Sequence, residues 1–464
     1  MTTNYISHPN PALKGNPLIE ALGLPLLPQE FIKQTTLKSE LELDWSAIPD
    51  SHYSYYARSM IDNLHDSYVV QDEAPRLYDT IFRMLERGYA NRNPLEYGDF
   101  KQLNNADDTT FSETQEITLR QTASQSSFLL AGLSGRGKTS MIESLLSTIP
   151  QKIYHTEYKE KPFHYDQIVW LKVDVPTTKG QRALLWRILE AIDSVTGESY
   201  YESHTKSNVT SLMIAVRKAL LVHGVGLIIL DEAQNLSKPS TSDKVGNNEN
   251  ATLRFVEELF NKVGVPLLLV GTLTTLSLFS QEMTTARRIG KDGSLILEQC
   301  NVESSFWKRF IKQMCTTSIL KNQSTDLDTI TRHTHHLSAG IPAIASSLIR
   351  STMTYLTYLP AHNQDLSIAA LNFVFKEQFR VISGALNALK RGKYYQYEDC
   401  APLTQLHDSE ANYFELAEQS NTAETETKRL TTTLSAKPKL SDKEQQLFDS
   451  MSPSALLRGV EEDE

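Results

Sequence analysis

Gly132-Leu133-Ser134-Gly135-Arg136-Gly137-Lys138-Thr139 fits the phosphate-loop pattern of a glycine, four free positions and Gly-Lys-Thr at every fixed place. The glycines let backbone N–H groups curl around a phosphate, the lysine reaches the β- and γ-phosphates, and the threonine hydroxyl holds Mg2+. The flanks are those the chemistry needs: an apolar run, Phe128–Ala131, leads in, and a helical pattern, Thr139–Ser147, leads out. A plain glycine-rich turn would leave the lysine, the hydroxyl and both flanking elements unexplained.

Outward from the loop, Leu227-Ile228-Ile229-Leu230-Asp231-Glu232 is an apolar strand that ends in two acids. Asp231 is placed to enter the Mg2+ shell, and Glu232 to polarise a water for attack on the γ-phosphate. Alone, the stretch reads equally as a buried strand ending in solvated acids; beside the loop it points to hydrolysis of ATP or GTP. The candidate nucleotide-binding set is Gly132, Ser134, Gly135, Arg136, Gly137, Lys138, Thr139, Ser140 and Asp231, with Thr139 and Asp231 as metal ligands and Glu232 catalytic.

Four further groups each carry a functional and a plain structural reading. The strand ending in Gly271-Thr272 would put Thr272 between the first and third strands, within reach of the γ-phosphate or the attacking water; a loop threonine capping the next helix is the competing reading. Arg287 and Arg288 fall between the fourth and fifth strands, where an arginine can stabilise transition-state charge at a neighbouring subunit's nucleotide, the alternative being a solvated pair. Lys179, Arg182 and Arg187 open the helix after the second strand, where the macrodipole opposes basic residues. That points either to an external anion such as DNA phosphate or to an ordinary solvated face. His333, His335 and His336 have no Cys or carboxylate at ligand spacing and read as a solvated helix face, not a metal site.

Apolar runs at Phe128–Ala131, Ile168–Val173, Leu227–Leu230, Leu267–Val270 and Leu295–Leu297 alternate with helical segments at Thr139–Ser147, Gln181–Ser194, Ser211–Leu221 and Ala251–Val263. This predicts an α/β fold with a parallel sheet covered on both faces, interrupted by a polar loop, Ser237–Asn250. Ahead of it, Asp72 caps a helix with Leu77, Ile81, Met84 and Leu85 on one face and Gly88 at its end. Residues 1–72 read as irregular with brief helices. Beyond residue 302 only helical patterns remain, at 303–315, 326–337, 343–358 and 366–390.

The 464 residues carry 46 Lys+Arg against 56 Asp+Glu, a net charge of −10, which excludes a general basic coat for nucleic acid. Thirteen acidic and six basic side chains lie in 401–464, so this stretch reads as an acidic, disordered tail and the rest is nearly neutral, with room for a basic stripe. Three cysteines make neither a disulfide framework nor a zinc site and suit a reducing cytosol. No apolar run approaches the roughly 18 residues a membrane span requires.

Taken together, these residues resemble the TnsC family, AAA+ ATPases that regulate transposition in transposons of the transposon-seven type. Five stretches carry the likeness: Asn16-Pro17-Leu18-Ile19-Glu20-Ala21-Leu22; Arg87-Gly88-Tyr89-Ala90-Asn91-Arg92-Asn93-Pro94; the phosphate loop; Pro150-Gln151-Lys152-Ile153-Tyr154-His155; and Gly264-Val265-Pro266 with Gly271-Thr272 and Ala286-Arg287-Arg288. The loop is generic to many ATPases, whereas the N-terminal and Ala-Arg-Arg motifs are particular.

The resemblance implies ATP and Mg2+ as cofactors and a homo-oligomeric ring or filament around double-stranded DNA. It also implies a target selector of the TnsD or TniQ kind and a transposase of the TnsA/TnsB kind as partners. In it Lys138, Thr139, Asp231 and Glu232 take the nucleotide roles, Thr272 that of a sensor, Arg287 or Arg288 that of the arginine finger, and Lys179 and Arg182 line a DNA channel. One departure is that Ser338-Ala339-Gly340-Ile341-Pro342-Ala343 lacks the arginine that many AAA+ lids carry there. The expected organisation is an N-terminal adaptor segment for the selector (1–110), an AAA+ core (111–302), a helical lid (303–400) and a tail docking the transposase (401–464). The expected function is a bacterial, cytoplasmic ATPase that marks a DNA target and disassembles on hydrolysis. Two rivals stay open: a replication initiator or helicase loader, though no winged-helix reader is recognisable after residue 400, and a signalling scaffold that binds nucleotide but not DNA.

Overall fold

A computed structural model of the chain describes residues 3–37, 48–90, 92–95, 126–177, 180–237, 255, 265–276, 292–315, 319–320, 325–394 and 397. The elements in chain order are α1 (Pro17–Glu20), α2 (Pro28–Thr35), α3 (Tyr53–Asn63), α4 (Ala74–Ala90), β1 (Ser127–Gly132), α5 (Lys138–Leu146), β2 (Lys152–Tyr158), β3 (Lys161–Ile168), β4 (Trp170–Asp174), α6 (Gln181–Thr196), α7 (Tyr200–Ser203), α8 (Val209–Val222), β5 (Leu227–Asp231), β6 (Leu267–Gly271), β7 (Ser294–Leu297), α9 (Ser305–Cys315), α10 (Leu327–Ser338), α11 (Pro342–Leu356), α12 (Ile368–Gln378) and α13 (Arg380–Lys390). The chain divides into two compact units, Met1–Lys38 with Ser67–Glu298, and Ser39–Asp66 with Gln299–Glu464.

In the first unit, five strands form a sheet in the order β4-β5-β6-β1-β7. Every pairing is parallel, with Lys172 opposite Ile229, Leu230 opposite Leu269, Phe128 opposite Leu268 and Gly132 opposite Leu297. β6 therefore lies between β1 and β5, and all five carboxyl ends share one edge, the edge at which open α/β sheets bind ligands.

Successive strand residues point to opposite faces. Leu129, Leu171, Val173, Ile228, Leu230, Leu267 and Leu269 pack on α6 and α8 through Leu184, Leu185, Ile188, Leu212 and Val216. Phe128, Leu130, Ile229, Leu268 and Val270 pack on α4 and α5 through Leu77, Ile81, Leu85, Met141 and Leu145. Burial on both faces is why these strands are apolar at nearly every position.

The second face has a third contributor. Leu18, Ile19 and Phe31 are 1–2% exposed and join the cluster that covers it. Asn16 caps α1 by accepting from the Leu18 N–H (3.0 Å) and donates to the Tyr89 carbonyl (2.8 Å). Glu20 accepts from Tyr158 Oη (2.6 Å) and from the Gly15 N–H (2.8 Å). The expected adaptor range 1–110 is thus shared out: its first 38 residues pack as part of the α/β unit, and residues 39–66 belong to the helical one. Short apolar clusters that look irregular in sequence fill the open face of the sheet.

Other expectations also change. The run Ile168–Val173 is two strands, because Ile168 ends an antiparallel hairpin of β2 and β3 (Ile153 opposite Gln167) and Trp170 begins β4. The hairpin turn, Lys159-Glu160, is left-handed at both residues (φ 50° and 62°) without the glycine or asparagine that would announce it. Gly88 lies inside α4, and a Cβ there would stand 2.5 Å from Pro266 Cγ, so close approach and not helix ending requires it. Around Gly88 the chain is clipped to the strand starts: Arg87 pairs with Asp292 (2.7 Å), Tyr89 Oη donates to the Gly224 carbonyl (2.9 Å) and Arg92 Nη1 to that of Val225 (2.7 Å). The helix at Ala251–Val263, the body of the loop Ser237–Asn250 and the tail 401–464 lie outside the described residues, Phe255 and Ser237 apart.

The second unit is helical. The pattern at 366–390 is two helices, α12 and α13, broken at Phe379. Trp307 of α9 is fully buried and donates to the Thr331 carbonyl of α10 (3.3 Å). α3 joins this unit: Tyr53 Oη donates to the Ile319 carbonyl, Ser54 Oγ to that of Thr357 (2.8 Å), and Ala57 and Ile61 are buried. α10 ends at Ala339 and Gly340, both left-handed, and a Cβ on Gly340 would stand 2.7 Å from the Cys300 carbonyl oxygen. Two of the three histidines are structural pins and not a solvated face: His335 Nε2 donates to the Cys300 carbonyl (2.7 Å) and His333 bonds Asn372 Oδ1 (3.0 Å), while His336 is exposed as expected. Among the described residues no cluster of three or more His, Cys, Asp or Glu could hold a metal ion, and no helix is long and apolar enough to cross a membrane.

Candidate nucleotide site

β1 delivers Gly132 beside Leu297, and a Cβ there would stand 2.6 Å from the Leu297 carbonyl oxygen, so the strand pairing itself demands glycine. The loop then turns through Gly135 (φ 76°) and Gly137 (φ 93°) before α5 opens at Lys138. Gln71 Nε2 donates to the carbonyls of Arg136 (3.1 Å) and Gly137 (3.2 Å). In a trans peptide the N–H opposes the C=O, so holding these two carbonyls turns the N–H groups of Gly137 and Lys138 the other way.

The Arg136 side chain follows its carbonyl. Its guanidinium, on a residue only 4% exposed, donates to Gln71 Oε1 (2.8 Å), Glu73 Oε1 (3.3 Å) and the Glu298 carbonyl (2.9 Å). Its place is therefore as a brace beneath the loop. Sequence reasoning grouped it with the ligand-facing residues because the motif does not say where its free positions point.

Lys138 Nζ donates to the carbonyls of Gly132 (2.8 Å) and Leu133 (3.1 Å), which sets the ammonium across the loop. Thr139 Oγ1 lies 3.3 Å from Asp231 Oδ2, and Asp231 is 5% exposed. One hydroxyl and one carboxylate are hard oxygen donors, the modest protein set by which Mg2+ is held alongside substrate phosphates, so the residues fit the metal. Lys172 of β4 sits 3.4 Å from the same Asp231 oxygen and 3.1 Å from Glu143 Oε1. Burial works against its charge, but the Glu143 hydrogen bond and the charges of Asp231, Glu143 and Asp174 outweigh it and raise the Lys172 pKa. A lysine inside the apolar run Trp170–Val173 was the available signal for it.

Glu232 follows in the left-handed region (φ 57°) with an exposed side chain. Its N–H donates to Asp231 Oδ1 (2.9 Å), and its Oε2 accepts from Gln234 Nε2. Gln234 Oε1 in turn accepts from the Thr272 N–H at the end of β6 (3.2 Å), and the Thr272 and Thr274 hydroxyls bond each other (2.6 Å). The structure thus gathers Lys138, Thr139, Asp231, Glu232 and Thr272 at one edge of the sheet, with Ser134 and Ser140 exposed on the loop and first turn.

Arg182 lies on α6, donating to the Thr205 carbonyl (3.0 Å) with its guanidinium 4.5 Å from the Trp186 ring centre, and Arg187 pairs with Glu190 (2.8 Å). Lys179, Arg287 and Arg288 lie outside the described residues.

A parallel sheet with β6 inserted between the loop strand and the acidic strand, a phosphate loop at its carboxyl edge and Asp-Glu at the end of β5 define an α/β AAA+ phosphate-loop NTPase core. Residues 121–279 match the family described as the AAA domain, whose members are phosphate-loop ATPases. No curated protein matches the chain. Among solved structures, the ORC2 protein of Aeropyrum pernix in ADPNP–ADP complexes aligns with 15% identity over 66% of this chain and 80% of that one, at a TM-score of 0.37.

Proposed function

We propose that this protein is an ATP-hydrolysing AAA+ regulator of DNA transposition, one that oligomerises on target duplex DNA and links a target selector to the transposase. The observation that carries the hydrolysis half is the meeting of Thr139 with Asp231 at 3.3 Å beside Lys138, with Glu232 next in the chain. The transposition half rests on the sequence resemblance to the TnsC family.

In this reading Lys138 places positive charge where the β- and γ-phosphate oxygens lie, and the loop N–H groups complete the cradle. Thr139 and Asp231 hold Mg2+, which when bound neutralises charge on the phosphates. Glu232 orients and polarises the attacking water, Thr272 meets the γ-phosphate side of the site, and Arg287 or Arg288 reaches in from a neighbouring subunit. Nucleotide between subunits favours assembly and hydrolysis releases it, a population shift. Lys179 and Arg182 contact DNA phosphate; an arginine carries five donors, so the Thr205 bond leaves capacity for one. The N-terminal segment, 1–110, serves the selector and the tail, 401–464, the transposase.

The deciding experiment is electron microscopy of the full chain with a short duplex, in a non-hydrolysable ATP analogue and in ADP. Rings or filaments on DNA with the analogue alone are expected. Monomers in both conditions would favour the DNA-free signalling scaffold.

A further inference from the structure

We propose that Gln234 is a positioning residue for ATP hydrolysis, its amide fixing the Glu232 carboxylate to the end of β6. This deepens, and rests on, the hydrolysis reading above.

The Thr272 N–H can only donate and the Glu232 carboxylate, ionised, can only accept. A side chain that joins them must accept at one end and donate at the other, and a primary amide does both. The direction of the Gln234 amide is therefore set by its partners: Oε1 to the Thr272 N–H (3.2 Å) and Nε2 to Glu232 Oε2.

Both ends of the bridge are anchored. Gln234 lies in a 3-10 turn, Ala233–Ser237, in which Ala233 and Leu236 are buried and Asn235 Nδ2 donates to the Val175 carbonyl (2.9 Å). The Asn235 N–H closes the turn on the Glu232 carbonyl (2.9 Å). At the other end, Thr272 follows Gly271, where a Cβ would stand 3.0 Å from Gln234 Oε1 and would clash with the Thr275 hydroxyl, so glycine keeps the approach open. Between these anchors the Glu232 backbone is fixed by its own N–H bond to Asp231, while its side chain is exposed. The bond that the described residues give to its carboxylate comes from Gln234. A displacement of the β6 end is thus passed to the hydrolytic carboxylate through one amide.

The test is steady-state ATPase activity of the full chain with Mg2+ and duplex DNA, together with affinity for a fluorescent ATP analogue. Gln234→Ala and the isosteric Gln234→Glu, which accepts at both ends, are each expected to lower kcat about tenfold to a hundredfold, the scale of misplacing a reacting group by an ångström. KM and analogue affinity should stay near wild type. In a Glu232→Gln background, Gln234→Ala should cost nothing further, because the group it positions is already disabled. Wild-type kcat in Gln234→Ala overturns the inference. So does loss of analogue binding together with kcat, which marks a merely structural role, and so do losses that multiply in the double variant. If the hydrolysis reading itself fails, the signature differs: Glu232→Gln turns over ATP as fast as wild type, and the inference falls with it.

Discussion

Lys138 and Glu232 have separable tasks, and substituting each divides binding from chemistry. Lys138→Ala removes charge-assisted hydrogen bonds to phosphate, each about 1.5–3 kcal/mol, so nucleotide affinity should fall roughly tenfold to a hundredfold in a titration with a fluorescent analogue. Unchanged affinity and normal ATP-dependent assembly would remove the loop from the site. Glu232→Gln keeps shape and removes the carboxylate proposed to polarise the water; kcat should drop by about 10²–10⁴ with nucleotide binding intact. Gly132→Ala tests geometry alone. Its Cβ would meet a β7 backbone oxygen at 2.6 Å, which cannot rotate away, so about 1–3 kcal/mol of stability should be lost in urea unfolding.

Among the elements, the β2–β3 hairpin and α1 hold each other through Glu20. Burial opposes the Glu20 charge, yet the hydrogen bonds from Tyr158 and Gly15 and the nearby Lys159 outweigh it and depress its pKa below the ordinary 4.5. A depressed carboxylate stabilises the fold above its unfolded pKa and loses that contribution as pH falls through the folded one. Glu20→Gln should therefore flatten the dependence of stability on pH below about 4.5, read by denaturant midpoints at several pH values. The same hairpin explains why it escaped sequence reading: Tyr154, Thr156 and Glu157 face outward, leaving no long apolar run, and Lys159-Glu160 adopts positive φ that other residues favour. By contrast, β1, β5 and β6 were legible because burial on both faces leaves continuous apolar runs. The site was legible where covalent spacing sets it, at Lys138, Thr139, Asp231 and Glu232. It was not legible at Gln71, Arg136 and Gln234, whose roles exist only once distant segments meet.

For the whole molecule, the N-terminal 38 residues cannot be treated as an appendage. Fully burying a large apolar side chain contributes about 1.5–3 kcal/mol, and Leu18, Ile19 and Phe31 cover one sheet face, against a total stability of about 5–15 kcal/mol for a typical domain. Deleting residues 1–37 should leave the ATPase core aggregated or molten by near-ultraviolet circular dichroism. A soluble, active truncation would show that this face needs no cover.

The excursion of residues 39–66 has its own consequence. Leu37 and Tyr68 bond each other's backbones at 3.0 and 2.9 Å, pinning the point where the chain departs and returns, and with the junction after Glu298 the polypeptide crosses between the two units three times. The helical unit is therefore not a cassette. Recombination at the single downstream junction would transplant α9 to α13 while abandoning α3, along with the partners of Ser54 and the slot that Ala57 and Ile61 occupy. The two halves must be inherited, and diverge, as one gene product.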